Sequence, residues 1–299
     1  MQLKTDVQSS FLNLFTKAME NEPLERDNKM NLFVLKAKNN CFDYGALTES
    51  LKDQLIFYAL SRHTVDELVS KRDFGKMSSY AREKLRKAEQ NTGELGELLL
   101  YCFLEAHLQA PKLLTKLELK TAANDYVKGA DGVHLLQLDD KSYQIVFCES
   151  KLYKNLHDGI EAAFKSILTM LDDGLNKIFY ERHLIDSNLL KENVSDAELK
   201  FLKKILIPTE NDEDLEVDDS FGVFIGFEIP IIDEERKMKN SQFRTNIIEK
   251  VKQAVTDQID TINNYLRQSN FVGYQFYFYI IPFSELAETR TEIIKNIVS

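Results

Sequence analysis

The feature that most constrains the fold of this chain is a pattern typical of a β-hairpin with an acidic residue at each open end. An apolar run over residues 133–138 is followed by a polar turn at 139–142 and by an alternating run over 143–147. Asp131 precedes the first run, and Glu149 follows the second. If residues 139–141 form the loop, the residue numbers of any two paired positions on the strands sum to 280. In this register Asp131 lies directly opposite Glu149.

This register predicts a small group of charged side chains at the open end of the hairpin. Directly opposed Cβ atoms are roughly 4.5–5.5 Å apart, so one divalent cation can bridge the two carboxylates. The period of two places Lys151 on the same face as Glu149, while Cys148 and Ser150 point to the other face. The geometry depends on the register, because a shift of one residue would turn Asp131 to the wrong face.

Two neighbouring carboxylates and a lysine are typical of a metal-dependent nuclease centre. The carboxylates repel each other unless they share a proton or bind a cation. Hard oxygen ligands suit Mg²⁺ or Mn²⁺, which polarises a phosphodiester and lowers the pKa of bound water. Lys151 is then placed to orient or deprotonate the attacking water, or to stabilise charge on the phosphorus.

A surface hairpin that ends in solvated charges is the alternative interpretation. Five other acid-x-Lys strings occur in the chain, so this string is weak support by itself. What favours a site at Glu149-Ser150-Lys151 is its place after a β-branched and aromatic strand, with an upstream aspartate at hairpin distance.

A second acidic motif opens a predicted core helix over residues 91–104. Thr92 is the expected N-cap, and Glu94 and Glu97 are three residues apart in the first turns. Acids at a helix start are favoured by the helix dipole, which is one explanation for both. The other is that either glutamate binds or supports a metal ion, because Glu97 falls beside the apolar stripe of the helix.

Together the motifs Gly-Glu-Leu-Gly-Glu (93–97), Gly-Ala-Asp-Gly-Val-His (129–134) and Cys-Glu-Ser-Lys (148–151) resemble the HamA family. This family is the nuclease subunit of the Hachiman anti-phage system and a branch of the PD-(D/E)xK nuclease superfamily. The resemblance rests on residues 91–157.

The resemblance implies roles for these residues and a partner. Asp131 and Glu149 become metal ligands, Lys151 the catalytic lysine, and Glu94 or Glu97 the helical acid, with Glu97 taken as a third ligand of Mg²⁺ or Mn²⁺. It also implies a superfamily-2 helicase partner (HamB-like) that controls the nuclease on DNA.

Composition is that of a soluble protein of the reduced cytoplasm. The chain has 299 residues, 43% of them hydrophobic, and no apolar stretch near the length of a membrane span or a signal peptide. The three cysteines are widely separated and show no Cys-x-x-Cys spacing.

The net charge of −10 disfavours autonomous tight binding to DNA, unless the charge is segregated. Basic residues are concentrated in residues 71–87 and around the hairpin, where they are candidates to line a DNA groove; those around the hairpin are Lys112, Lys116, Lys120, Lys128 and Lys154. Residues 210–219 contain seven acidic residues, which is typical of a solvated loop. The more specific hypothesis is that this segment docks on a basic surface.

The overall pattern predicts a mixed α/β (α+β) fold, with a restriction-endonuclease-like core in which helices flank a mixed central sheet. We expect an N-terminal α/β lobe over residues 1–75 and a PD-(D/E)xK nuclease-like domain over 76–299, joined by a linker-like stretch at 70–88. The coarse elements expected are helices over 6–19, 47–60, 156–180 and 241–267, and strands over 31–36, 221–229 and 274–281.

The sequence thus predicts a Mg²⁺-dependent deoxyribonuclease effector of anti-phage defence. One rival is a catalytically inactive scaffold or regulatory subunit of a helicase complex. Another is a restriction-type endonuclease, for which a base-recognition module would be expected.

Overall fold

A mixed seven-stranded sheet forms the centre of the protein. The computed structural model describes residues 3–87, 93–119, 129–172, 182–183, 186, 196–207 and 215–299. In that part of the chain the strand order is β1-β2-β9-β8-β7-β6-β5, and β3 and β4 form a separate two-stranded sheet. The strands are β1 (Phe15–Pro23), β2 (Lys29–Leu35), β3 (Ala37–Lys38), β4 (Cys41–Phe42), β5 (Lys112–Thr115), β6 (Gly132–Gln137), β7 (Ser142–Tyr153), β8 (Glu216–Glu228) and β9 (Gln275–Phe283).

Helices cover both faces of this sheet, which confirms the predicted fold class. They are α1 (Tyr44–Ala59), α2 (Arg62–Ser70), α3 (Phe74–Lys87), α4 (Glu94–Ala106), α5 (Lys116–Leu119), α6 (Leu156–Asp172), α7 (Asp196–Leu206), α8 (Asp233–Arg236), α9 (Asn240–Thr256), α10 (Ile259–Leu266) and α11 (Leu286–Val298). None of the helices in the described ranges combines the length and apolar character that a bilayer crossing demands.

The sheet is parallel in its centre and antiparallel at its edges. Strands β7, β8 and β9 run parallel, and β2 adds to β9 in the same direction. The β1–β2, β6–β7 and β5–β6 pairs are antiparallel. The central strands are apolar on both sides, as expected for strands that helices cover on both faces.

The predicted hairpin is β6–β7, and its register is confirmed. Val133 pairs with Phe147 and Gln137 with Tyr143, so paired positions sum to 280 as expected. The N–H of Leu138 donates to the carbonyl of Ser142 (2.9 Å) and closes the loop.

Helices α4 and α6 pack on opposite faces of β7 and β8. Gly96 of α4 lies against the side chain of Ser150, whereas Gly159 of α6 lies against Tyr153 and Ile225. Because side chains alternate along a strand, the even-numbered positions of β7 face α4 and the odd-numbered positions face α6. Every residue of α4 is buried, so this helix lies in the core on all sides, as predicted for its apolar stripe.

Several coarse predictions were right and others need correction. The helix at 47–60 and the strands at 31–36, 221–229 and 274–281 are confirmed as α1, β2, β8 and β9. The helix at 6–19 was wrong, because a 3-10 turn (Ser9–Leu14) leads directly into β1, whose backbone pairs with β2. The linker at 70–88 was wrong too, since most of it is helix α3, whose Met77, Ala81 and Leu85 are buried.

Two longer helices were predicted. The helix at 241–267 was right in type but is broken into α9 and α10. The helix at 156–180 is confirmed over Leu156–Asp172, and residues 173–180 lie outside the described residues. The domain boundary at residue 75 stays a prediction, although β1 and β2 belong to the same sheet as the hairpin.

The acidic segment 210–219 is only partly described. Residues 216–219 belong to β8 rather than to a loop, and Asp219 pairs with Arg182 (2.6 Å). Residues 210–214 lie outside the described residues. The predicted loop is therefore wrong for its last four residues, because they extend a strand of the central sheet.

Candidate metal centre

Asp131 lies at the open end of the hairpin, immediately before β6. Its N–H donates to the carbonyl of Cys148 (2.9 Å), which ties the backbone of Asp131 to β7. Its Oδ2 accepts two hydrogen bonds from Ser150, one from the N–H (2.9 Å) and one from the hydroxyl (3.0 Å). These bonds fix the carboxylate against Ser150 of β7.

Glu149 and Lys151 form an ion pair on the α6 side of β7. Glu149 is 4% exposed, and Ser166 of α6 lies close enough to lower its pKa. Burial and the charge of Asp131 raise the pKa of Glu149 to about 7, although Lys151 and Ser166 act in the opposite direction. Burial lowers the pKa of Lys151, but Glu149 and Asp131 outweigh it and hold that pKa above its usual value.

Lys116 brings a second ammonium group to this site, next to Asp131. Its Nζ lies 3.3 Å from Asp131 Oδ1, and its N–H donates to the carbonyl of Asp131 (3.0 Å). Burial lowers the pKa of Lys116, but Asp131, Glu97 and Glu149 outweigh it and raise that pKa overall. Asp131 with Lys116 and Glu149 with Lys151 therefore form two carboxylate–ammonium pairs whose charges act on each other, which we call the acid–lysine cluster.

Glu94 and Glu97 lie nearby but on α4, which covers the opposite face of β7 from Glu149. Both are buried, and Glu97 Oε2 accepts a hydrogen bond from the hydroxyl of Tyr58 (3.1 Å). Burial, Glu97 and Asp131 all raise the pKa of Tyr58, so its hydroxyl stays a donor. Helix α4 has Gly93 at its N-cap, not the expected Thr92, which lies outside the described residues.

The donors fit a hard divalent ion that keeps part of its water shell. Within the described ranges no three His, Cys, Asp or Glu side chains form a group that could hold a metal ion. Mg²⁺ commonly binds proteins through one or two carboxylates and completes its octahedron with water and phosphate oxygens. Asp131 and Glu149 are the two carboxylates available for such an ion, and burial together with the charge of Asp131 raises the pKa of Glu149. Glu97 as a third ligand stays a prediction.

Sequence reasoning missed three side chains that shape this centre. Ser150 was expected to point away from Asp131, yet its hydroxyl and N–H hold that carboxylate. Ser166 and Tyr58 approach from α6 and α1, and no local pattern links those helices to the hairpin.

The expected basic groove is only partly supported around the hairpin. Lys112 is buried, and its Nζ donates to the carbonyls of Phe57 (2.6 Å) and Leu60 (3.0 Å), so it does not line a groove. Lys116 contacts Asp131 instead of facing a groove, whereas the side chain of Lys154 is 86% exposed. Lys120 and Lys128 lie outside the described residues.

The cysteines take no part in the centre. Cys41, Cys102 and Cys148 are free. Burial raises the pKa of the Cys102 and Cys148 thiols well above the usual value, so both are poor nucleophiles.

Comparison with known proteins identifies the family. A search of curated proteins gives no match. The family model of HamA matches residues 9–297, nearly the whole chain, and so extends far beyond the motifs at 91–157. Membership links the protein to Hachiman anti-phage defence and to a partner within that system. On this match, which includes both strands of the hairpin and the helix before it, the chain belongs to the HamA family.

Proposed function

We propose that this protein is the metal-dependent DNA nuclease effector of a Hachiman system and that a superfamily-2 helicase partner controls it. The acid–lysine cluster carries the proposal: two acids and two lysines meet where the hairpin opens. A buried carboxylate with a pKa of about 7 beside a second acid is typical of a functional site.

In this proposal Asp131 and Glu149 hold Mg²⁺ or Mn²⁺. When bound, the ion would polarise a phosphodiester and lower the pKa of a coordinated water. Ser150 fixes the orientation of Asp131 through two hydrogen bonds. Lys151 lies beside Glu149 and supplies the positive charge that orients the water and offsets charge on the phosphate.

The charge of the protein supports a need for the partner. A net charge of −10 opposes binding to a polyanion, because affinity for DNA depends on neutralised phosphates. Lys71 and Lys76, in the basic stretch at 71–87, are already paired with Glu67 and Asp73. We therefore infer that the helicase brings DNA to the centre, and that both act in the cytoplasm, which the free cysteines support.

The test is a cleavage assay with Mg²⁺ or Mn²⁺ on plasmid and linear DNA, with and without the helicase and ATP. Wild-type protein should degrade DNA when the helicase is active, and Glu149→Gln should abolish cleavage while the complex still forms. Glu235→Gln is the matched control, because Glu235 is also buried and paired with a lysine, Lys250 (3.0 Å), but lies on α8.

The same assay separates the rival functions. Wild-type protein that never cleaves DNA in the intact complex would indicate an inactive scaffold. Cleavage that needs modified bases and no helicase would indicate a restriction-type endonuclease.

A further inference from the structure

Lys116 interacts with the one oxygen of Asp131 that remains for a metal ion. Oδ2 already accepts two hydrogen bonds from Ser150, which matches its two lone pairs. Oδ1 faces the Lys116 ammonium at 3.3 Å. A divalent ion that coordinates Asp131 must therefore approach the oxygen that Lys116 holds.

The position of Lys116 is built into the fold. Its N–H donates to the carbonyl of Asp131 (3.0 Å), and this bond lies next to the β5–β6 pair of Thr115 and Gly132. The backbone of Lys116 is thus tied to the residue that its side chain contacts. The side chain is 20% exposed, so the ammonium can move toward solvent on its four-carbon stem without a change in the backbone.

The charges around Lys116 point to a counter-ion role. Asp131, Glu97 and Glu149 all act on this ammonium, and they raise its pKa despite burial. Lys151 is engaged with Glu149 on the α6 side. Each carboxylate of the acid–lysine cluster thus has its own ammonium, and Asp131 relies on Lys116.

An ammonium and a divalent ion at the same carboxylate oxygen compete with each other. Oδ1 has two lone pairs, of which the Lys116 ammonium at 3.3 Å uses one, and an ion on the other would lie close to a like charge in a partly buried site, where the repulsion is strong. A variant without this charge should leave Oδ1 open to a cation.

We propose that Lys116 is a built-in counter-ion that holds Asp131 in the metal-free protein and moves away from Asp131 Oδ1 when that oxygen coordinates a divalent metal ion. The inference rests on the proposed metal-dependent function and adds a regulating residue to it. Metal binding and the release of Lys116 become one event, and the released ammonium is then free to contact the phosphate backbone of DNA.

The test measures Mn²⁺ affinity of the full-length, DNA-free protein by isothermal titration calorimetry. Lys116→Met removes the charge and keeps the aliphatic stem, and it should bind Mn²⁺ roughly tenfold more tightly than wild type, the usual scale for one neighbouring charge. Lys116→Arg keeps the charge and should stay near wild type.

Two controls accompany these variants. Lys250→Met makes the same change of net charge at another lysine paired with a buried glutamate, and it should leave Mn²⁺ affinity unchanged. Asp131→Asn should abolish binding. Circular dichroism melts check the fold, and Lys116→Gln replaces Lys116→Met should the methionine variant fail to fold.

The outcomes separate this inference from the proposed function. Suppose that wild type binds Mn²⁺, that Asp131→Asn does not, and that Lys116→Met binds Mn²⁺ no more tightly than wild type. This result would overturn the counter-ion role and leave the metal centre intact. Absence of Mn²⁺ binding by wild type, Lys116→Met and Lys116→Gln alike would overturn both. The inference is supported when Lys116→Met binds Mn²⁺ more tightly than both wild type and Lys250→Met. It is supported equally when Lys116→Met is the one protein of the three that binds Mn²⁺ detectably.

Discussion

Glu105 and Glu149 are two buried glutamates whose surroundings differ in kind. Glu105, near the end of α4, accepts hydrogen bonds from the backbone N–H groups of Asp6, Val7 (3.0 Å) and Lys112 (2.8 Å). Glu149 on β7 accepts from a side chain, the ammonium of Lys151. Burial is the largest cause that raises the pKa of each, and a neighbouring aspartate adds to it in both cases.

Within the proposed function, the difference separates a structural carboxylate, Glu105, from a metal-binding one, Glu149. Backbone donors are fixed by the fold, so Glu105 joins the N-terminal segment to β5 and cannot exchange its partners without local unfolding. Side-chain donors can turn away, so the ammonium of Lys151 can leave Glu149 without local unfolding. Burial or a raised pKa alone would not have separated the two acids.

Loss of the lysine beside Glu149 gives the largest expected effect. Lys151→Met should lower the rate of DNA cleavage about a thousandfold in the partner complex, because the charge that orients water and offsets phosphate charge is lost. Its stability should fall by less than about 2 kcal/mol, since Glu149, with a pKa of about 7, can take up a proton instead of staying buried as an unpaired anion. Single-turnover cleavage and urea denaturation measure the two effects.

The control for this prediction is Lys250→Met, which removes a lysine of α9 from another ion pair with a buried glutamate, Glu235 of α8. It should cleave DNA at the wild-type rate. Equal losses of activity in both variants, or a large loss of stability in Lys151→Met, would remove the distinction between Glu149 and a structural acid.

Removal of Glu105 should act on stability alone. Glu105→Ala leaves three backbone N–H groups without their acceptor, and at roughly 1–3 kcal/mol for each unsatisfied buried group we expect a loss of about 4 kcal/mol. Glu249→Ala, on the exposed face of α9, should change the free energy of unfolding by less than about 0.5 kcal/mol. Urea denaturation checks both, and cleavage by the folded fraction of Glu105→Ala should match wild type. A stable but inactive Glu105→Ala protein would contradict the assignment.

The sequence predicted the features of the site that depend on neighbouring residues, and it missed the contacts between residues far apart in the chain. The hairpin register followed from the period of two and the polar turn, and both lie within 131–149. The 3-10 turn and β1 at the N-terminus could not be predicted, because Phe11 and Phe15 have a helical spacing and only the pairing of β1 with β2 overrides it. The contact of Lys116 with Asp131 depends on the β5–β6 pair, for which the sequence has no strong local signal.

His134 extends the comparison to a third buried titratable group, held by the backbone like Glu105. Its Nδ1–H donates to the carbonyl of Ala110 (2.8 Å), and burial lowers the pKa of His134 to about 4. Between that value and the ordinary pKa near 6.5 the unfolded chain binds a proton that the folded protein does not, so this residue makes the fold less stable as the pH falls.

Carboxyl groups with raised pKa values make the fold more stable as the pH falls, so the contribution of His134 must be measured as the difference in stability between wild type and His134→Asn. From about pH 7.5 to about pH 5, wild type should lose about 2 kcal/mol relative to the variant, measured by urea denaturation. A constant difference across that range would mean that His134 is protonated or exposed in the folded protein, and the backbone would then not fix this group as it fixes Glu105.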